Sequence, residues 1–137
     1  MRKRLALIWT PLVLAMALML PATTTATSYG QVSYSNFYCS GINTVNATFK
    51  VHKYAGFYAS KLTMKLTGQG YHNGGWHNEF NFGTYSKSIS TSGQANFVRT
   101  AWFKPGHSGK HRIVMVGKIW NGGSMIASGT IRTPGCS

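Results

Sequence analysis

The chain has 137 residues, with 14 lysines and arginines against a single acidic residue, Glu79, and a formal net charge of +13. One carboxylate and no aspartate exclude the paired carboxylates of glycosidases, an Asp-containing catalytic triad, two-metal phosphoryl transfer and oxygen-rich calcium sites. The composition therefore favours a binding or structural protein over an enzyme, and it favours anionic material as the partner.

The N-terminal segment has the order of a secretory signal peptide. Basic residues 2–4 precede an apolar run over residues 5–20, and Pro21 and a tract of small residues follow. The alternative is an uncleaved membrane anchor, but a membrane span needs about 20 apolar residues. We expect residues 1–26 to be removed, leaving a secreted single domain over 27–137 with no membrane span.

Both cysteines, Cys39 and Cys136, lie in the predicted exported domain. An even pair in an oxidising compartment predicts one disulfide. The bond would close a loop of about 100 residues, worth about 4–5 kcal/mol in the chain-entropy model. The alternative is a pair of reduced or metal-binding thiols.

Alternating apolar and polar residues predict strands from the start of the domain. A first strand lies near "QVSYSNFYCS", and residues 45–51 and 58–66 follow with a period of two. The short "KYAG" segment predicts a hairpin between the last two, which would place Lys50, Lys61 and Lys65 in one basic stripe. The alternative is an ordinary solvated sheet face.

The second half of the chain continues the strand pattern. We expect a strand that ends at Gly83, a short strand "TYSKSIS", a strand "ANFVRTAWFK" and a central strand "HRIVMVGKIW". The "NGG" at residues 121–123 predicts a hairpin to "SMIASGTIR". About eight short strands predict an all-β fold, a small antiparallel β-sandwich that is Ig-like or barrel-like.

The segment "YHNGGWHNE" holds two histidines and the single acid, a composition that suits either a metal site or a turn. His72 and His77 are the candidate ligands beside Glu79, but their spacing across a glycine turn fits no standard zinc pattern. His107 and His111 are four apart, yet "PGHSGKH" is a poor helix. We therefore predict a turn, with no metal and no cofactor.

Cations and aromatic residues near predicted turns are the candidate binding groups, because rings can stack on sugars or bases while cations meet anions. No helix-turn-helix, RNA-binding or zinc motif indicates specific nucleic-acid binding. The sequence predicts a secreted binding module or antimicrobial-type effector for an anionic cell-envelope polymer. A structural or adhesive surface protein and a small hydrolase are the alternatives. The candidate contacts are Lys50, Lys53, Lys61, Lys65 and Lys118, with Tyr54, Tyr71, Trp76 and Trp120.

Overall fold

A computed structural model describes residues 24–137, so most of the predicted signal peptide lies outside the described residues. Within residues 24–137, no helix is long and apolar enough to cross a membrane. The described part of the chain is built from strands. They are β1 (Thr24–Ala26), β2 (Gly30–Ser40), β3 (Thr44–Lys53), β4 (Ala59–His72), β5 (Gly75–Thr91), β6 (Ala95–Phe103), β7 (Lys110–Asn121) and β8 (Ser124–Arg132).

The strands form two antiparallel four-stranded sheets, which confirms the predicted all-β sandwich. Sheet A has the order β1-β2-β3-β6, and sheet B has the order β5-β4-β7-β8. The predicted "NGG" turns are both present and both form hairpins: β4 returns into β5 after His72, and β7 returns into β8 after Asn121. Asn73 and Gly74 take positive φ angles of 51° and 78° in the first of these turns, as a two-residue hairpin loop requires.

The core lies between the two sheets and follows the strand periodicity. Strand β3 alternates half-buried and buried residues along its whole length, as the pattern of residues 45–51 predicts. Apolar side chains from β2, β3 and β6 pack against those of β4, β7 and β8. The largest of these with no exposed surface are Val45, Phe49, Leu62, Met64, Ile113 and Met115.

The predicted hairpin between β3 and β4 is wrong. β3 pairs with β2 and β6, whereas β4 pairs with β5 and β7, so the intervening segment crosses from sheet A to sheet B. A half-buried strand has the same periodicity whether its neighbour lies beside it or across the core. The basic stripe is therefore divided: Lys50 lies on the outer face of sheet A, and Lys61 and Lys65 lie on the outer face of sheet B.

The predicted strand end at Gly83 is a bend within one long strand. β5 runs for 17 residues, and Gly83 adopts a φ of 100° where the register with β4 shifts between Leu66 and Thr67. A β-bulge at a positive-φ glycine bends a strand without ending it. The predicted short strand "TYSKSIS" is the second half of β5.

The predicted disulfide is confirmed between Cys39, near the end of β2, and Cys136, with a Cα–Cα distance of 5.6 Å. The backbone of Cys136 also exchanges two hydrogen bonds of 2.8 Å with His111 at the start of β7. The C-terminal segment is thus attached to both sheets, by a covalent bond to sheet A and by a β-bridge to sheet B.

Candidate functional site

The outer face of sheet B carries six cations and no acidic side chain. Strand alternation places them on β4, β7 and β8, among threonine and serine hydroxyls. Because Glu79 is the only acid of the chain, no carboxylate side chain on this face can neutralise them. We name this surface the basic face. Its cations are Lys61, Lys65, Lys110, Arg112, Lys118 and Arg132.

Two of these lysines flank the ring of Trp120. Trp120 pairs across the sheet with Lys61, whose Nζ lies 5.2 Å from the ring centroid, and Lys118 Nζ lies 5.7 Å from the same centroid. The indole Nε1 donates a hydrogen bond of 2.9 Å to Thr63 Oγ1, which fixes the ring plane. These groups and Lys65 line a shallow groove of about 450 Å³.

A second ring and cation pair lies further along the basic face. The Arg112 guanidinium stacks 4.0 Å from the centroid of Trp76, and its Nε donates to Gln69 Oε1 at 2.8 Å. Burial, and then the charge of Arg132, lower the pKa of Arg112. The predicted aromatic contact Tyr71 packs edge-on against Trp76 at 5.4 Å and is 47% exposed.

Three predicted ligand contacts, Lys50, Lys53 and Tyr54, do not lie on the basic face. Lys50 is on the opposite side of the sandwich, and the Lys53 side chain is buried, with Nζ donating to the carbonyls of Tyr54 (2.8 Å) and Gly93 (2.7 Å). The prediction that Lys53 contacts an external anion is therefore contradicted by its burial. Burial also lowers the pKa of Lys53. Tyr54 is half-buried and packs against His52 on the sheet A side.

A second group of functional side chains, which we name the histidine cluster, lies at one end of the sandwich. It consists of Glu79, His72, His107 and His111. Glu79 Oε2 lies 3.1 Å from Nε2 of His107 and 3.1 Å from Nε2 of His111, and Glu79 Oε1 lies 3.7 Å from Nε2 of His72. Glu79 is an exposed residue of edge strand β5, but its side chain is only 17% exposed because it turns toward these rings.

The sheet register brings the cluster together. Gly70 of β4 pairs with His77 of β5 on one side and with His111 of β7 on the other. His107 reaches the same place from the loop before β7, and buried Asn43 holds that loop by donating from Nδ2 to the carbonyls of His107 (2.9 Å) and Gly109 (3.1 Å).

Sequence reasoning considered the two histidine pairs separately and did not bring them together. His77 does not face the acid: its Nε2 donates to the His72 carbonyl at 3.0 Å, and its ring stacks on that of His72 at 4.1 Å.

The hydrogen bond to the Ser108 carbonyl and then the charge of Glu79 raise the pKa of His107. The one signal in the sequence was the presence of a lone acid among five histidines.

Comparison with known proteins adds little to this picture. No protein-family model matches the chain, and no curated protein matches it. Among solved structures, a proposed beta-galactosidase of Bacteroides fragilis is similar, with 19% identity and a TM-score of 0.49. The match covers 75% of this chain and 16% of that one, so this chain spans about one sixth of the larger protein's length.

Proposed function

We propose that the protein is a secreted binding module that engages an anionic cell-envelope polymer through the basic face. The observation that carries this proposal is the segregation of charge. Six of the chain's cations lie on the outer face of one sheet, while the only acid turns away into the histidine cluster. Uncompensated cations on one broad surface attract polyanions and lose little of that attraction to internal ion pairs.

The groove at Trp120 gives the basic face a contact chemistry as well as a charge. Ammonium groups of Lys61 and Lys118 flank the indole ring, and hydroxyls of Thr84 and Ser86 line the opposite side of the groove. A repeating phosphate or sulfate would meet the lysines, and a sugar ring would lie against the indole. Such a site recognises a sugar-containing polyanion rather than an isolated small anion.

Export supports the same proposal. The basic, apolar and small segments at the N-terminus are typical of a secretory signal. The Cys39–Cys136 disulfide of the folded domain is compatible with an oxidising compartment, where such bonds persist. An exported cationic protein meets cell-envelope polymers before it meets nucleic acid.

The test is binding of the purified protein to isolated cell envelopes, with their anionic polymers present or chemically stripped, at low salt and at about 0.15 M salt. The double variant Lys61→Gln/Lys118→Gln removes two charges beside Trp120. The matched control Lys50→Gln/Lys104→Gln removes two charges elsewhere, one of them on the outer face of sheet A. We expect binding that needs the polymer, weakens with salt, and falls at least fivefold more in the first variant than in the control.

Two results would overturn the proposal. Equal losses in both variants would mean that net charge, and not the basic face, governs adhesion. Retention on stripped envelopes together with self-association would indicate a structural or adhesive protein without a discrete ligand.

A further inference from the structure

The histidine cluster contains a buried nitrogen whose hydrogen-bonding capacity is not used. The His111 side chain is 1% exposed, and its Nε2 has no hydrogen-bond partner among the described residues. Glu79 Oε2 lies 3.1 Å from this nitrogen but outside hydrogen-bond geometry. A buried ring nitrogen without a partner is costly, so its retention requires a reason.

The other ring nitrogens define which tautomer is present. His111 Nδ1 lies 2.9 Å from the Gly109 carbonyl, and His107 Nδ1 lies 2.8 Å from the Ser108 carbonyl. A carbonyl can only accept, so both Nδ1 atoms donate, and in the neutral rings both Nε2 atoms carry a lone pair. In the neutral rings two lone pairs therefore point at one carboxylate oxygen, and His107 Nε2, which lies in hydrogen-bond geometry with that oxygen, donates to it only when the ring carries a second proton. This arrangement of Nδ1–H on a backbone carbonyl and a bare Nε2 is the one that metal-binding histidines use.

Two of the three separations between the ligand atoms match a single ion, and the two imidazole nitrogens would move closer together on binding it. Glu79 Oε2, His107 Nε2 and His111 Nε2 lie within 4.8 Å of one another. Zinc bonds of about 2.0–2.1 Å in a tetrahedron place neighbouring ligand atoms about 3.3 Å apart. The two observed separations of 3.1 Å from the carboxylate oxygen are close to that value.

The surroundings of the three groups resemble a prepared site rather than a chance surface cluster. Gly70 leaves a recess that the Glu79 carboxylate occupies, and a Cβ there would overlap its atoms. The Phe103 ring packs edge-on against His111 at 5.7 Å and forms an apolar wall. The Asn43 amide holds the loop that carries His107. Each ligand group is thus positioned by a second residue.

We propose that Glu79, His107 and His111 bind one divalent transition-metal ion, with Zn²⁺ as the ion that their two imidazoles and one carboxylate suit best. His72 Nε2 is the next donor, 3.7 Å from Glu79 Oε1 and half-exposed, so it can complete the set or leave a position open to solvent. The sequence predicted no metal site, and the difference arises because Glu79 and the pair of His107 and His111 lie in separate segments that only the fold brings together.

The test uses the full folded protein, stripped with a chelator and titrated with ZnCl₂ by calorimetry, with metal content measured after dialysis. We expect one equivalent of Zn²⁺. Glu79→Gln and His107→Ala should each weaken binding at least tenfold, while His52→Ala, which removes a histidine on sheet A, should leave it unchanged. His107 is chosen because its side chain is 58% exposed and its removal spares the core, unlike that of buried His111.

Two further readouts keep the test decisive. Bound Co²⁺ should give the visible absorption of a tetrahedral site in the wild type, and Zn²⁺ should raise the melting temperature of the wild type but not of Glu79→Gln. Absence of Zn²⁺ and Co²⁺ binding, or equal affinity in the wild type, Glu79→Gln and His107→Ala, would overturn the proposal. The cluster would then be a set of polar contacts around Glu79 that holds no metal ion. Polymer binding by the basic face does not depend on either outcome.

Discussion

The carboxylate of Glu79 occupies the recess that Gly70 leaves on the inner side of β4, next to His111. An added Cβ at Gly70 would overlap the carboxyl group. The only acid of the chain is therefore held in place by the absence of a side chain on a neighbouring strand. This relationship makes Gly70 a determinant of the histidine cluster, although it has no functional group of its own.

Gly70→Ala should displace the Glu79 carboxylate and disorganise the cluster, because an added Cβ would overlap the carboxyl group. The overlapped atoms are the end of a flexible side chain, so the loss of unfolding free energy in urea should stay below the cost of core overpacking, about 1–3 kcal/mol. The imidazole NMR signals of the cluster should shift in this variant. The control is Gly106→Ala, because a Cβ at that position meets no atom within 4 Å. Imidazole signals that are the same in both variants would contradict the role given to Gly70.

Reduction of the Cys39–Cys136 disulfide should lower the unfolding free energy by about 4 kcal/mol, because the bond closes a loop with a sequence separation of 97. Urea denaturation with and without reductant measures the loss. Cys39→Ser/Cys136→Ser should match the reduced protein and should not respond to reductant. An unchanged midpoint on reduction of the wild type would show that the bond adds nothing to stability.

Lys53 should make stability depend on alkaline pH. Since burial lowers the pKa of Lys53 in the folded protein below its ordinary value of 10.5, the folded chain loses this proton at a lower pH than the unfolded chain does. In the window between these two pKa values the unfolded state holds more protons, so the unfolding free energy rises with pH. Below both pKa values Lys53 is charged in the folded and the unfolded chain, and the cost of burying this charge lowers the unfolding free energy by its full amount.

Comparison with Lys53→Met isolates this effect. The difference in unfolding free energy, wild type minus variant, should increase as pH rises toward 10.5 and level off above it. Lys50→Met is the matched control, because Lys50 lies half-buried on the outer face of sheet A and its change should leave the slope of the wild type intact. A constant difference between the wild type and Lys53→Met would show that the Lys53 pKa is the same in both states.

Trp120→Ala should weaken polymer binding about tenfold, because stacking on an aromatic ring contributes on the order of 1–3 kcal/mol. The measurement is envelope binding at fixed salt. Trp102→Ala is the matched control: Trp102 is 62% exposed but belongs to sheet A. If the control variant lost as much affinity as Trp120→Ala, the groove beside Lys61 and Lys118 would not be the contact surface.

Much of the fold could be predicted from the sequence because strand periodicity and turn chemistry are local. The alternation of residues 45–51, the two "NGG" turns and the cysteine pair all describe features that the structure contains. The pairing of strands depends on residues that are distant in sequence. The hydrophobic pattern of β3 and β4 is the same whether the two strands pair with each other or belong to different sheets, so it did not reveal the crossing from sheet A to sheet B. The bend at Gly83 was interpreted as the end of a strand because continued pairing with β4 is likewise not encoded in the local sequence.

The candidate site residues also divide into those that a local sequence pattern predicts and those that depend on contacts distant in the chain. Lys61, Lys65 and Lys118 face outward because their strands alternate, and that much periodicity predicts. Lys53 follows the same rule, because it shares the inward-facing parity of β3 with Phe49 and Val51. Periodicity therefore indicates its burial, which its choice as a ligand contact overlooked, whereas its partner, the Gly93 carbonyl, is distant in the chain. The histidine cluster draws on residues 72 to 111 through the register of three strands, which no spacing rule contains.

The unequal charge of the two sheet faces gives the molecule an electric dipole across its thin dimension. Six cations on the basic face stand against Lys50 on the outer face of sheet A. The electric field of an anionic cell surface would orient such a molecule before contact, so that every copy would bind with the basic face toward the surface. The exposed rings of Tyr38 and Trp102, which belong to sheet A, would then point outward. A layer of this protein bound to an anionic surface would therefore present the largely uncharged outer face of sheet A to the surroundings.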